Sequence, residues 1–449
     1  NLLGTINAGR GGMWLIDPTN VTISTSASTG GSLSAAQGQA LTSNFSATDI
    51  QNAINAGTSV TIIASGTITQ TANLSFAPSS GTSVSLTYNN RSGSAQAITL
   101  TGTTTNTGLG ELTLNYLASG QININGAINS TSTGKVNVVA QTTFGTNTLT
   151  SCSGGGCASI VSGSSGSITT KGGYVVMDAT GGTISGTAIT IGSIRNGPIY
   201  LNGAINTTNS GGTGSGVGGH FSAAGSANLA SGLGSFEPNA AALNIGGNVN
   251  IEIQNYASAS YGFVVASFGT TSPITAHGNL NITSTGVSTS GNGLIYVTSA
   301  LTSTTGNINL TATSTNTTAT NNAGVSGTVN GTLTANNGSI NINSSSFAST
   351  AVSLPGALSA KNISITGTST TASTIVSLGA MTIVSGGSNL SVTANNSAAG
   401  ANTGITQTGT ITNNAAGSNI TFSSNNIINQ TGAISLVANT TGNAATILY

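Results

Sequence analysis

Six acidic residues, six basic residues and two histidines are spread over 449 positions, together with two cysteines and eight tyrosines. The first question is whether any of these could do chemistry together. Polysaccharide hydrolysis needs two carboxyls within roughly 5–10 Å. Only Asp17 with Asp49, and Glu237 with Glu252, lie close enough in sequence to become neighbours in a repeating fold. Asp17 belongs to an Asp-Pro turn signal and Asp49 to a helix start, so local capping accounts for each. Glu252 alternates with Ile251 and Ile253, which points it to solvent. Cys152 and Cys157 enclose only Ser-Gly-Gly-Gly. A zinc site needs four ligands, and neither a second cysteine pair nor a nearby histidine exists: His220 and His277 are remote. The expectation is a Cys152–Cys157 disulfide pinning a loop, in an exported protein. Nucleophile-elbow, P-loop, zincin and calcium-nonapeptide motifs are absent. No catalytic activity, cofactor or metal is expected.

The elements that would position these residues are read from composition and rhythm. Charged residues are 3% of the chain, against roughly 25% in ordinary soluble domains. Hydrophobic residues still make up 37% and recur at regular intervals, which a disordered tail does not require. Formal net charge is zero and no basic stripe exists, which excludes a nucleic-acid partner. No apolar run reaches the ~18 residues of a membrane helix. Aromatics, at 4%, form no girdles of the kind a membrane barrel needs. So neutral a chain tends to associate with copies of itself.

Thr328 to Ser344 shows the building unit. Val329, Leu333 and Ala335 share one face of an extended chain. Asn336-Asn337-Gly338 turns it, and Ile340 and Ile342 resume the alternation with shifted parity. That is two short strands and a corner, one coil of something that stacks. Gly331, Gly356, Gly379, Gly409 and Gly432 mark the same position in successive coils. Farther back, Gly120–Gly134 nearly repeats at Gly197–Gly211, an offset read as three coils. About 25 residues per coil gives roughly 18 coils over residues 59–449 and the module before them. Glycine-rich 211–234, where large apolar residues are sparse, reads as a protruding loop or lateral hairpin, and Ile189–Gly192 as a coil strand. Thr-rich tracts raise ice binding, but without one fixed threonine position per coil that reading is set aside.

Residues 1–58 differ in style. Asp17-Pro18 turns the chain after the only tryptophan, Trp14, which reads as a core or coil-capping residue or else as a carbohydrate-stacking one. A helix is expected from Thr48 to Ala56, with Ile50, Ala53 and Ile54 on one face, Ser46 or Thr48 as cap and Gly57 as stop. In Gly11 to Ile62, GGMWLIDPTNVTIS followed by TDIQNAINAGTSVTI resembles a segment of large filamentous-haemagglutinin-like bacterial exoproteins. These are adhesins of two-partner secretion and their autotransporter relatives. The resemblance implies a right-handed parallel β-helix, export across the outer membrane and a role in adhesion or biofilm. The NPN-type motifs of that family's secretion domain are missing, so this segment is not expected to be that domain.

The function expected is therefore that of an extracellular, cell-surface structural or adhesive segment. Its partners would be copies of itself or more of the same polypeptide, and host or matrix glycans reached through a groove or the 211–234 loop. Neither end shows a polar cap in sequence, so the coils are expected to continue or to stack.

Overall fold

A computed structural model describes residues 13–16, 19–28, 42–91, 97–143, 159–194, 197–209, 218–227, 235–239, 241–255, 263–265, 272–287, 293–315, 324–347, 349–370, 374–396, 403–415, 418–436 and 446–448. Asp17, Pro18, Cys152 and Cys157 lie outside them. So do 211–217 and 228–234 of the glycine-rich stretch. The chain is a parallel β-solenoid, divided into two units. The first comprises residues 1–146, 158–224 and 244–246; the second comprises 147–157, 225–243 and 247–449.

In the second unit each coil contributes a short strand to one sheet, then a short and a longer strand to another. Ile295–Val297, Leu301–Ser303 and Ile308–Ser314 form one such coil. Inward side chains stack into continuous columns. One column runs Leu280, Ile308, Ile340, Ile363, Leu390, Ile420. Another runs Ile274, Leu301, Leu333, Leu358, Met381, Ile411. All of these are buried. Alternation thus builds a dry interior from like residues repeated at the strand spacing, about 4.8 Å.

The corner expected at 336–338 is present. Register shifts between Ala335 and Ser339, and the burial pattern changes parity there. Val329 differs from expectation: it sits in the turn closed by Gly331 N donating to Thr328 O, and is 71% exposed. The glycine series does mark equivalent positions. A Cβ at Gly331 would lie 2.1 Å from Val297 O, at Gly356 2.3 Å from Gly331 O, and at Gly432 1.8 Å from Gly409 O. Each glycine is required because the backbone of the coil before it already fills the space.

Outward columns are polar. Asn281, Asn309 and Asn341 each donate Nδ2 to the Oδ1 of the asparagine one coil earlier, beginning at Asn250, at 2.7–2.8 Å. Beside them Thr283, Thr311, Asn343, Thr366, Thr393 and Ser423 share a column. Threonines therefore stack in part, but Asn343 breaks the run.

The first unit repeats the plan with longer excursions. Val60, Leu86, Leu114, Val138, Val175 and Phe221 form one inward column. The near-repeats at 120 and 197 prove to be two coils apart, not three: Ile122 pairs with Ile160 and Ile160 with Ile199. Insertions lengthen those coils. One of them holds the antiparallel hairpin Thr183–Ser185/Ala188–Thr190, so Ile189 and Thr190 belong to a lateral arm and not to the stack. Its turn places Gly186 at φ +61°, in open space. Conversely, Phe221–Ala227 is a strand, and its 221–224 portion is stacked on Val175–Asp178. Small residues hid it, because Ala223 and Ala224 can fill inward and outward positions there without a hydrophobic pattern.

Among the described residues the short-strand sheet has 15 strands, fewer than the roughly 18 coils expected. In the first unit the short-strand sheet begins with Thr42–Ser46, paired with Asn20–Ser24, and steps on through strands starting at Ile68, Ile98, Ile122, Ile160 and Ile199. In the second it steps through Phe236, Phe263, Ile295, Val325, Val352, Thr374, Thr403 and Ile427. Insertions, not extra coils, account for the difference.

The helix is Ala47–Asn55, with Ser46 Oγ accepting from Thr48 N at 3.2 Å. Ile50, Ala53 and Ile54 are buried, and Gly57 stands at φ +84° just beyond the end. Its polar face does something the sequence reading missed. Gln51 Oε1 accepts from Ser75 N, and Asn55 Oδ1 accepts from Ala77 N, both at 2.6 Å. Ser75 lies in Leu74–Phe76, whose strand partner is Thr104–Asn106. Two side chains stand where a preceding strand would accept, so this edge is capped. Trp14 lies in Met13–Ile16, paired with Ser59–Ile62.

Inside the first unit Tyr88 and Tyr116 stack across adjacent coils with ring centroids 5.7 Å apart. Tyr88 OH donates to Gln70 Oε1 at 3.0 Å, while Gln70 Nε2 donates to Thr104 Oγ1 at 3.1 Å. Thr104 also lies beside the Tyr116 hydroxyl, which makes no well-formed hydrogen bond among the described residues. Burial pushes both phenols well above the ordinary tyrosine range. The unfolded chain releases those protons near pH 10 while the fold retains them. Stability is therefore whole below about pH 10 and falls as pH rises further, by up to ~1.4 kcal/mol per pH unit for each tyrosine. In an alkaline titration followed by tyrosinate absorbance, two of the eight tyrosines should ionise only as the chain unfolds. Smooth titration of all eight in the folded state would contradict this.

Candidate binding site

Register gathers side chains that are far apart in sequence. In the first unit Leu112 pairs with Val136, and Leu112 N donates to Lys135 O at 2.9 Å, so Lys135 lies one coil on from Glu111. Val138 pairs with Val175, and Val138 N donates to Tyr174 O at 2.9 Å, which puts Tyr174 one coil on from Asn137. Val175 N in turn donates to His220 O at 2.9 Å. Glu111, Lys135, Asn137, Tyr174 and His220 thus line one corner of consecutive coils, where the longer strands begin. Lys171 joins them from the turn before Tyr174. It has φ +52° and is followed by Gly172 at φ +89°, with Gly173 N donating to Thr170 O at 3.2 Å. Those are type I′ turn angles, and Lys171 is the sole non-glycine residue at positive φ among the described residues.

Asn137 is the keystone of this corner. Its Nδ2 donates to Glu111 Oε1, and to Thr113 Oγ1 at 3.4 Å; its Oδ1 accepts from Tyr174 N at 3.2 Å. The side chain is buried and its three hydrogen bonds tie together three coils. Glu111 and Tyr174 are half-buried, and Lys135 is exposed. Burial raises the Tyr174 phenol above its ordinary range, with the Glu111 carboxylate adding to the effect. No ion pair among the described residues involves Glu111, Lys135 or Lys171. The corner therefore offers an acceptor oxygen, two ammonium groups and an aromatic ring.

Next to it, the outer face of the longer strands is buried rather than wet. Val139 and Val176 point outward, pair with each other and are both buried. Asp178, at the end of this run, is completely buried. Its Oδ1 accepts from Thr180 N at 2.8 Å and Thr180 Oγ1 at 2.6 Å. Its Oδ2 accepts from Gly182 N at 2.7 Å and Gln141 Nε2 at 3.0 Å. This carboxylate organises the base of the lateral hairpin.

Of the carboxylate pairs weighed from sequence, Glu237 and Glu252 stand on different sheets and do not form a site. Asp17 lies outside the described residues. Asp49 accepts from Ser28 Oγ at 2.6 Å in the first helical turn. Glu237 is buried in Phe236–Pro238, on the short-strand sheet, whereas Glu252 is exposed on the other. Partial burial raises the Glu252 carboxyl above its ordinary range. Among the described residues, no three of His, Cys, Asp and Glu come together. The Glu111–Tyr174 corner went unseen in sequence because Glu111, Asn137 and Tyr174 are 26 and 37 positions apart. Their shared signal is their placement at the start of a longer strand.

No family model, no curated protein and no solved structure matches this chain.

Proposed function

We propose that this chain is a segment of an extracellular, non-catalytic β-helical fibre protein used for attachment, biofilm or matrix formation. One observation carries the reading: the continuous columns of like residues, apolar within and uncharged amide or hydroxyl without, from one coil to the next. Such columns make a stiff element whose outer face has little for solvent ions to grip. Like charges repeated at this spacing would repel, so a low charge content suits stacking. The likeness of Gly11–Ile62 to haemagglutinin-like exoproteins supports export and surface display. Among the described residues no helix is long and apolar enough to cross a membrane.

Association of copies is part of the proposal. The helix already occupies one stacking edge through Gln51 and Asn55. Copies therefore meet sideways or through other edges, unless the helix is displaced. Sedimentation and electron microscopy at micromolar concentration should show oligomers or filaments. Immobilised chain should also promote attachment to abiotic or glycan-coated surfaces. Monodisperse 43.4 kDa particles with no attachment would overturn the reading.

A further inference from the structure

We propose that the corner formed by Glu111, Asn137 and Tyr174, flanked by Lys135 and Lys171, binds a neutral polysaccharide. This rests on the adhesive part of the function proposed above and gives it a ligand class and a place. The argument begins with what is unusual about the corner. The large fully buried aromatics of this unit, Phe76, Tyr88, Tyr116 and Phe221, point into the solenoid. Tyr174 instead remains partly exposed beside the outward side chain of Asn137. Its neighbours in register are polar: Ser85, Thr113 and Asn137 on the coils before it and His220 on the coil after it. A half-exposed aromatic ring in such a column leaves part of its apolar surface in water.

Polar capacity is also left over. Asn137 spends itself entirely within the coils, holding Glu111 and the Tyr174 backbone in place. Among the described residues Glu111 receives only the Asn137 bond, to Oε1, and Lys135 and Lys171 make no ion pair. Lys171 holds a left-handed conformation where glycine or asparagine would sit without strain. The corner therefore presents a rigidly mounted acceptor, an aromatic face and donors, spread over two coil spacings, about 10 Å.

The ligand that satisfies all of these is hydroxylated and uncharged. A sugar ring carries a C–H face that packs on an aromatic ring, and hydroxyls that both donate and accept. Neighbouring hydroxyls can donate to Glu111, while Lys135 donates to a hydroxyl or ring oxygen. An anionic ligand would suit the lysines but would meet the Glu111 carboxylate. A metal ion finds only one carboxylate. A single corner of this kind binds weakly, and a fibre presenting many copies multiplies the effect by avidity.

The test uses the full chain and a panel of neutral hexasaccharides (α- and β-glucans, a mannan and an N-acetylglucosamine oligomer) with one sulfated hexasaccharide. Saturation-transfer NMR and calorimetry report binding. The expected result is saturable binding of at least one neutral oligosaccharide. Tyr174→Ala should then weaken it tenfold or more, and Glu111→Gln several-fold. Lys361→Ala, on the second unit, should leave it unchanged. Tyr174→Leu keeps apolar bulk while removing the ring, and should behave like Tyr174→Ala if the ring is the platform. Absence of saturable neutral-sugar binding overturns the proposal. So does binding that survives both Tyr174 variants in folded protein, or binding of the sulfated oligomer alone that Glu111→Gln strengthens. None of these outcomes bears on the assembly and attachment assays, so the fibre reading stands or falls separately.

Discussion

Replacing Asp178 with alanine should destabilise the first unit by about 3–5 kcal/mol. Four donors converge on this carboxylate: Thr180 N, Thr180 Oγ1, Gly182 N and Gln141 Nε2. The site is fully buried, so water cannot take over the vacated role without opening the structure. Each orphaned donor costs roughly 1–3 kcal/mol, partly relieved by relaxation. Asp178→Asn sharpens the test. An amide oxygen can still accept from Thr180, but the amide nitrogen then faces Gly182 N and Gln141 Nε2, donor against donor. Its loss should be smaller than that of alanine yet still above ~1 kcal/mol. Urea unfolding followed by the circular dichroism of the strands measures both variants. Hydrogen exchange at the Thr180 and Gly182 amides locates the damage, as a solenoid can open locally. If the asparagine variant matched the parent chain, the four-donor account would be wrong.

Gly356→Val is the second large effect. An added Cβ would lie 2.3 Å from Gly331 O and 2.8 Å from Gly331 C. Both are backbone atoms of the preceding coil, which cannot rotate aside as a side-chain tip would. The choice is to part the two coils at that corner or to shift the register. Alanine should cost about 1–3 kcal/mol, and valine more. Gly386 provides the control. It sits at φ +79° with nothing within 4 Å of its would-be Cβ, so Gly386→Ala measures backbone strain alone, about 1–2 kcal/mol. Limited proteolysis and hydrogen exchange across 325–378 should reveal opened coils in the Gly356 variants and not in Gly386→Ala. A Gly356→Val chain as protected as the parent would refute the close-approach explanation.

These two sites differ in how far sequence exposes them. The Gly331–Gly432 series was visible because one residue type recurs beside short apolar strands. Its reason was not, since the clash is with a coil 23 to 34 residues away. Asp178 looked like one scattered charge among twelve. Only folding brings Gln141 and Gly182 to it.

What the chain determines locally is legible in the residues. Period-two alternation specifies strands with one dry face, and the parity change at Asn336–Gly338 specifies a corner. Ser46, Ile50, Ala53, Ile54 and Gly57 specify a capped amphipathic helix. What the tertiary structure alone decided is which coil meets which. That register depends on insertions whose length leaves no trace in the alternation. Hence the near-repeats fall two coils apart, Phe221–Ala227 joins the stack, and Ile189 leaves it for a hairpin. Hence too Glu111, Asn137 and Tyr174 become one corner. The physical reason is common to all of them. Alternation is a property of neighbours along the chain, whereas a binding corner is a property of neighbours across it, set by hydrogen bonds between coils.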